Sequence, residues 1–533
     1  MSSLCEKLCR VRRVFLPDAA DRESAVRTPW VLRATYLYLA LPFVIFALGW
    51  MRLFIGIPVA LLLCFCLYLS CREAPAVPAL PVRRRTVPYF CLLLFVVLLV
   101  VFFSGIGGFS YQNDDHYWRN SIFEALVRYR FPVRETWGDG TQVGLIYYIG
   151  YWLPAALFGK LFGVGAGYVF LFLWTVLGVL LFSELLMAVF RRHAVSLLIF
   201  FFAFSGLDLV VHLVNGNFAA LWGVGHLEWG EATFQYSSFV TQLYWTFNQA
   251  LPAWLFTLAL FLQKNNRNMI FLLGLMPLCS AFPFVGLLPF AVYLMVSRHY
   301  KDENGKALHG KARVSAFFRD TLTLPNLLGG GISGLLSALY LFGNARLGGG
   351  QSDGGRGLHL VFSEYDSALS FLASYLLFVI FEFLLYFILI WPYRHREPMF
   401  YLTLAVLLLT PLPAIGLGYD FCMRVSIPGL LVLFLMVADT LPQMWRDCRS
   451  PEKETRVSAR ILTGLLCLCL LIGARTPFNE FARSVDQTIR AGNTKRRSFP
   501  LMLTQGEENF VQPIQNSFFY RYIAAPGRGE GKP

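Results

Sequence analysis

Residues 87–118 read VPYFCLLLFVVLLVVFFSGIGGFSYQNDDHYW. From Val87 to Gly107 the stretch carries no charge, and its 21 residues suffice to cross a bilayer, which takes about 20. A turn through Ser104, Gly105, Ile106, Gly107 and Gly108 then brings Asn113, Asp114, Asp115 and His116 to the membrane surface. Carboxylates set where a helix leaves lipid are costly unless they meet water, a cation or a substrate. An apolar span that ends on an acidic pair predicts a membrane-embedded enzyme.

The rest of the chain agrees with a membrane setting. Of its 533 residues 56% are hydrophobic and 15% charged, against about 25% charged in soluble domains. The fold class expected is an all-α polytopic membrane protein. The first thirty residues are polar and basic, without the apolar core of a cleaved leader. The formal charge of +14 does not point to nucleic acid. Its cations fall in short runs between apolar segments (Arg10, Arg12, Arg13; Arg83 to Arg85; Arg191, Arg192; Lys264 to Arg267; Arg298 to Arg313; Arg394 to Arg396; Arg446 to Arg460). That is the pattern of cytoplasmic loops, with some attraction to anionic lipid. The 11 cysteines sit in or beside apolar runs, without metal or disulfide spacing.

Holding the basic runs inside orders the chain. Residues 1–34 form a cytoplasmic segment, 35–86 a transmembrane hairpin with a basic loop, 87–474 the core, and 475–533 an external tail. Counting 143–163 as a span would put Arg191 and Arg192 outside, against the charge rule. Tyr147, Tyr148, Tyr151, Trp152 and Pro154 suit instead a helix lying in the interface. The first external loop is then 108–165 and the second 215–249. Residues 268–297 hold Pro277, Pro283 and Pro289 between basic loops, which predicts broken half-helices that cross twice or dip and return. About 13 crossings result.

Four external elements collect the unusual polar residues. The first loop carries Asp114, Asp115, His116, Arg119, Glu124 and Arg128. The second carries His226, Glu228, Glu231 and Gln235 among Trp222, Trp229, Trp245 and Trp254. The Gly-rich third carries Arg346, Arg356 and His359, and the short fourth Asp420 and Arg424. A carboxylate serves as a base toward a hydroxyl or amine acceptor. Arginine grips a phosphate with two parallel donors. Aromatic rings stack on sugar faces. Together these are what sugar transfer from a polyprenyl-phosphate carrier requires.

Asp114-Asp115 followed by Arg119, Glu124 and Leu126 resembles the acidic-pair loop of GT-C fold glycosyltransferases, the lipid A aminoarabinose transferases and protein O-mannosyltransferases among them. Tyr151-Trp152-Leu153 through Lys160-Leu161-Phe162-Gly163 is similar to their interfacial helix. The resemblance covers roughly residues 87–214. It implies a GT-C-like bundle, with the hairpin before residue 87 as an addition and Asp115 where many relatives carry Glu. It also implies a sugar donor linked to polyprenyl phosphate, an extracytoplasmic acceptor (glycan, lipid or protein) and a bacterial inner-membrane location. The cofactor is left unknown, since some GT-C enzymes use a divalent metal and others none. Gln235 to Ser238, Asn248-Gln249 and the run Asp420 to Pro428 resemble stretches of uncharacterised bacterial membrane proteins, which name no substrate.

On this basis Asp114 is expected to be the base and Asp115 its partner. Arg119 and Arg424 are the phosphate ligands, with Asp420, Glu228 and His116 as further binding candidates. Each has a plainer alternative. Asp114 is also suited to capping the helix that starts near His116, and His116 to a surface position. Glu124 is spaced to pair with Arg128. Glu228 and Glu231 fit solvated loop acids, and Asp420 fits a local pair with Arg424. Glu184 and Glu382 are given no role. The competing function is a transporter or flippase for a lipid-linked glycan, suggested by the broken segment 268–297; a non-catalytic scaffold is a third.

Overall fold

A computed structural model describes residues 26–526 apart from 224, 229–232, 302–305, 344–356, 417, 506–508 and 516. Arg10, Arg12, Arg13, Trp229, Glu231, Arg346 and Arg356 lie outside the described residues. The architecture is mostly helical. Among the described residues eight helices are long and apolar enough to cross a membrane: Trp30–Trp50, Leu53–Glu73, Val164–Phe190, Val195–Val214, Pro277–Val296, Ala368–Arg394, Ile427–Asp447 and Lys453–Ile489. Gly310–Thr321 and Pro325–Leu341, bent by 62° at their junction, make a ninth if taken as one span. Val87–Phe103, Phe247–Phe261 and Pro398–Leu409 are apolar but shorter.

Short strands tie the connections together at two opposite ends of the bundle. At one end Val26–Thr28 pairs with Val77–Ala79, and Arg267 meets Glu73 at 3.1 Å. The Asn266 amide donates to Asp320 there at 2.8 Å. All these residues come from loops expected inside. At the other end Arg134–Thr136, Gln142–Leu145 and Val511–Pro513 form one three-stranded sheet. Leu358–Leu360 pairs with Pro413–Ile415, and Met51 bridges to Ala524. Those come from loops expected outside, so the two sets segregate as charge counting requires.

The segment 143–163 keeps to the second end. Its one α-helix, Leu153–Phe162, has 10 residues and spans about 15 Å, half a hydrocarbon core. Lys160 donates from it to the Val127 carbonyl at 3.2 Å, fastening it to the neighbouring helix. An impermeant thiol reagent applied to the outer face should therefore label Gly138→Cys, in an open hairpin, and leave Arg192→Cys unlabelled. Labelling at 192 with silence at 138 would invert the topology.

Residues 268–297 leave and return to the same end, one of the two outcomes expected: the Asn266 side chain donates to the Met295 carbonyl at 3.1 Å, so both ends of the segment lie together. A seven-residue helix, Met269–Leu275, is followed by the 20-residue Pro277–Val296. Only the second has the length of a span. The break continues to Ser280, whose φ of −147° and ψ of 68° are non-helical. Pro283 explains it: lacking an N–H, it leaves the Cys279 carbonyl without a helical donor, and its ring crowds that turn.

Candidate functional site

The turn after Val87–Phe103 depends on glycine. Gly105, Gly107 and Gly108 have φ of +83°, +86° and +74°, a left-handed region costly for any residue with a Cβ. A Cβ on Gly105 would also stand 2.5 Å from the Tyr111 carbonyl oxygen. This turn starts the helix Asp115–Arg128 at the end of the bundle where the outer loops meet. His116 anchors it from below. The ring is buried, its Nε2 2.9 Å from the Ser104 carbonyl, and burial lowers its pKa to about 4. His116 is thus a buried structural contact and not a surface residue.

A cavity of about 410 Å³ opens at this end, lined by Asp115, Arg119, Tyr147, Tyr148, Asp420 and Arg424 among others. That volume is within the range of small-molecule sites, roughly 300–1,000 Å³. Arg119 lies one helical turn after Asp115 and meets it at 2.8 Å. Arg424 lies one turn after Asp420 on the helix Gly418–Val425 and meets it at 2.8 Å. Two carboxylate–guanidinium pairs from distant parts of the sequence therefore face one space. Arg119 reaches the Tyr147 hydroxyl at 3.4 Å, which in turn donates to Tyr148.

The arginines are held charged and unsaturated. Burial works against the charge on both, but Asp420, Tyr148 and Tyr147 outweigh it at Arg424, and Tyr147 and Asp115 at Arg119, raising both pKa values. In each the buried Nε has no hydrogen-bond partner. These Nε atoms are sealed from solvent, as are those of Arg134, Arg298 and Arg483, so an oxyanion in the cavity would meet the terminal nitrogens of the planar forks. The rest of the wall is mixed. Trp118, Trp245, Tyr419 and Phe510 supply aromatic faces, while Phe282 and Leu341 come from apolar helices of the bundle.

Asp114 stands outside this space. Its side chain is 91% exposed and pairs with Arg497 at 3.2 Å. It occupies the N-cap position without making a capping hydrogen bond. Glu124 pairs with Arg128 at 3.0 Å and also accepts from Ser498 at 3.0 Å. Glu228, expected in solvent, is buried and accepts from Gln235 Nε2 and the Ser238 amide, each at 2.9 Å. No group of three His, Cys, Asp or Glu side chains able to hold a metal ion occurs among the described residues.

Two contributions to the site had little local signature in the sequence. His226 borders the cavity with Nδ1 2.6 Å from Glu480, which also accepts from Trp245 at 2.9 Å and Arg483 at 2.6 Å. Glu480 and Arg483 share a face of the amphipathic helix Arg475–Ile489, and that spacing was the available signal. Asn509 and Phe510 come from the tail, which β-pairing folds back over the first loop.

This buried cluster should be pH-sensitive. Burial pushes the Glu228 carboxyl up to about 7. Burial alone would lower His226, but the hydrogen bond and charge of Glu480 raise it, with Glu228 adding to the rise and Arg483 opposing it. Both groups hold protons in the folded protein that the unfolded chain has released. Their stabilising contribution is therefore complete below the ordinary values and is lost as pH rises, to about 7 for Glu228 and from about 6.5 upward for His226. Hydrogen exchange over 233–249 and 475–489, corrected for intrinsic rates, should be slower at pH 5.5 than at pH 8.5, by on the order of tenfold or more. Glu228→Gln should flatten part of that difference. Equal protection at both pH values would refute the assignment.

Comparison of the chain with protein-family models, with characterised proteins and with solved structures found no match.

Proposed function

We propose that the protein is a polytopic membrane glycosyltransferase of GT-C-like architecture, its bent pair and three shorter apolar helices bringing the crossings to about 12. It would move a sugar from a polyprenyl-phosphate donor to an extracytoplasmic acceptor. One observation carries this: the Asp115–Arg119 and Asp420–Arg424 pairs converge on a single cavity beside apolar helices. The base is Asp115, since Asp114 points away from the cavity. In the step envisaged, the acceptor hydroxyl attacks the anomeric carbon and gives its proton to Asp115. The bond from that carbon to the phosphate oxygen breaks, and the carrier leaves as polyprenyl phosphate. Arg119 and Arg424 bind the charge gathering on the phosphate, while Trp118 and Trp245 stack on sugar faces.

A photoreactive polyprenyl phosphate, its diazirine next to the phosphate, tests the site. After illumination, adducts should fall on peptides carrying Arg119 and Arg424, and unlabelled polyprenyl phosphate should compete them away. Adducts elsewhere, or adducts indifferent to competitor, would exclude the cavity as the donor site.

A further inference from the structure

At the end of the bundle opposite the cavity, the helix Gly310–Thr321 stands apart from the rest. Its 12 residues reach about 18 Å, too short to cross a bilayer. It makes a 62° bend with Pro325–Leu341, the apolar helix that follows. A segment this short, turned this far off the helix that follows and fastened to the loop residue Asn266, fits a course along the membrane surface.

Its two faces are sorted. Ala316 is buried against the body of the protein. Arg313 on the same side donates to the Val296 carbonyl at 3.0 Å. Asp320 accepts from the Asn266 amide at 2.8 Å and from the Tyr300 hydroxyl at 3.1 Å. These contacts pin the helix and fix which side faces away. That side carries Val314 at 53%, Phe318 at 50% and, just past the helix, Leu322 at 53% exposure. They recur at every fourth position, one stripe on a 3.6-residue helix. Arg319 borders the stripe and Lys311 continues it one turn before Val314, and both are exposed. An apolar stripe edged by cations, held flat at the end of a membrane bundle, is the pattern of an interfacial helix.

We infer that Gly310–Thr321 is an anionic-lipid docking element: Val314, Phe318 and Leu322 enter the acyl boundary while Lys311 and Arg319 meet lipid phosphates. Charge complementarity selects the occupant. The two cations would gain nothing from a zwitterionic surface and be repelled by a basic partner, but each gains several-fold in affinity near an anionic leaflet. This goes beyond the proposed transferase activity and does not depend on it.

The test uses the full-length protein in nanodiscs of phosphatidylcholine alone or with about one third phosphatidylglycerol, read by hydrogen exchange over 308–324. Phosphatidylglycerol should slow exchange of this segment, on the order of fivefold for each engaged cation. Lys311→Gln with Arg319→Gln should abolish that dependence. Phe318→Ser should speed exchange in both lipids while leaving the rest of the bundle unchanged. Equal exchange of the wild-type segment in the two lipids would overturn the inference. So would a slowing that the double variant retains, which would put the lipid elsewhere. A segment as unprotected in both lipids as in detergent would leave the stripe to a protein partner and equally refute it.

Discussion

Asp115→Asn should reduce sugar transfer by roughly 10²–10⁴-fold, the usual cost of losing a general base, while Asp114→Asn should stay near the wild-type rate. Asparagine keeps the size of the side chain and one oxygen toward Arg119, so the helix Asp115–Arg128 should still form. Intact folding is checked by the thermal transition of the purified protein. Asp114 touches Arg497 on the exposed surface and nothing in the cavity, so its charge should matter little. The measurement is the initial rate of acceptor glycosylation with donor in excess. The opposite pattern, with the 114 variant dead and the 115 variant active, would return the base to Asp114 and require the first loop to rearrange before reaction.

The second large effect is expected at Arg424. Arg424→Ala removes a guanidinium that lines the cavity, and losses of preorganised donors run to about 10²–10³-fold in turnover. Arg424→Lys keeps the charge but not the planar fork, and should fall between wild type and alanine. Asp420 would be left without its partner, so Asp420→Asn serves as a control for that disturbance and should be the mildest of the three. If phosphate binding is the role, donor KM should rise and kcat fall, because the guanidinium touches the phosphate both before and after charge builds on it. A variant set that loses stability in parallel with activity, with KM unchanged, would mark Arg424 as a structural ion pair only.

Most of this arrangement could be anticipated from local spacing. Asp115 with Arg119 and Asp420 with Arg424 are each four apart, which places partners on one helical face, and both pairs form. Basic runs marked one end of the bundle, and the short strands join the loops as that marking requires. The choice between adjacent acids could not be read in the same way. Asp114 and Asp115 differ only in which side of the first turn they occupy, and the three left-handed glycines ahead of them set that orientation. His116 was read as a surface residue and Glu228 as a solvated loop acid, yet both are buried. The tail was hardest to foresee. Val511–Pro513 is too short to show strand periodicity, and only pairing with Gln142–Leu145 brings Phe510 to the cavity wall. In 268–297 the prolines marked the break, and the two ends of the segment meet as a dip and return requires.

The most direct measurement follows the carrier. Purified protein reconstituted in liposomes with a polyprenyl-phosphate-linked sugar and an acceptor, and with no energy source, should release free polyprenyl phosphate in step with acceptor glycosylation, mole for mole. Asp115→Asn should suppress both together. Lipid-linked sugar that reaches the other leaflet unchanged, with no free carrier formed, would contradict the transferase and establish a flippase in its place.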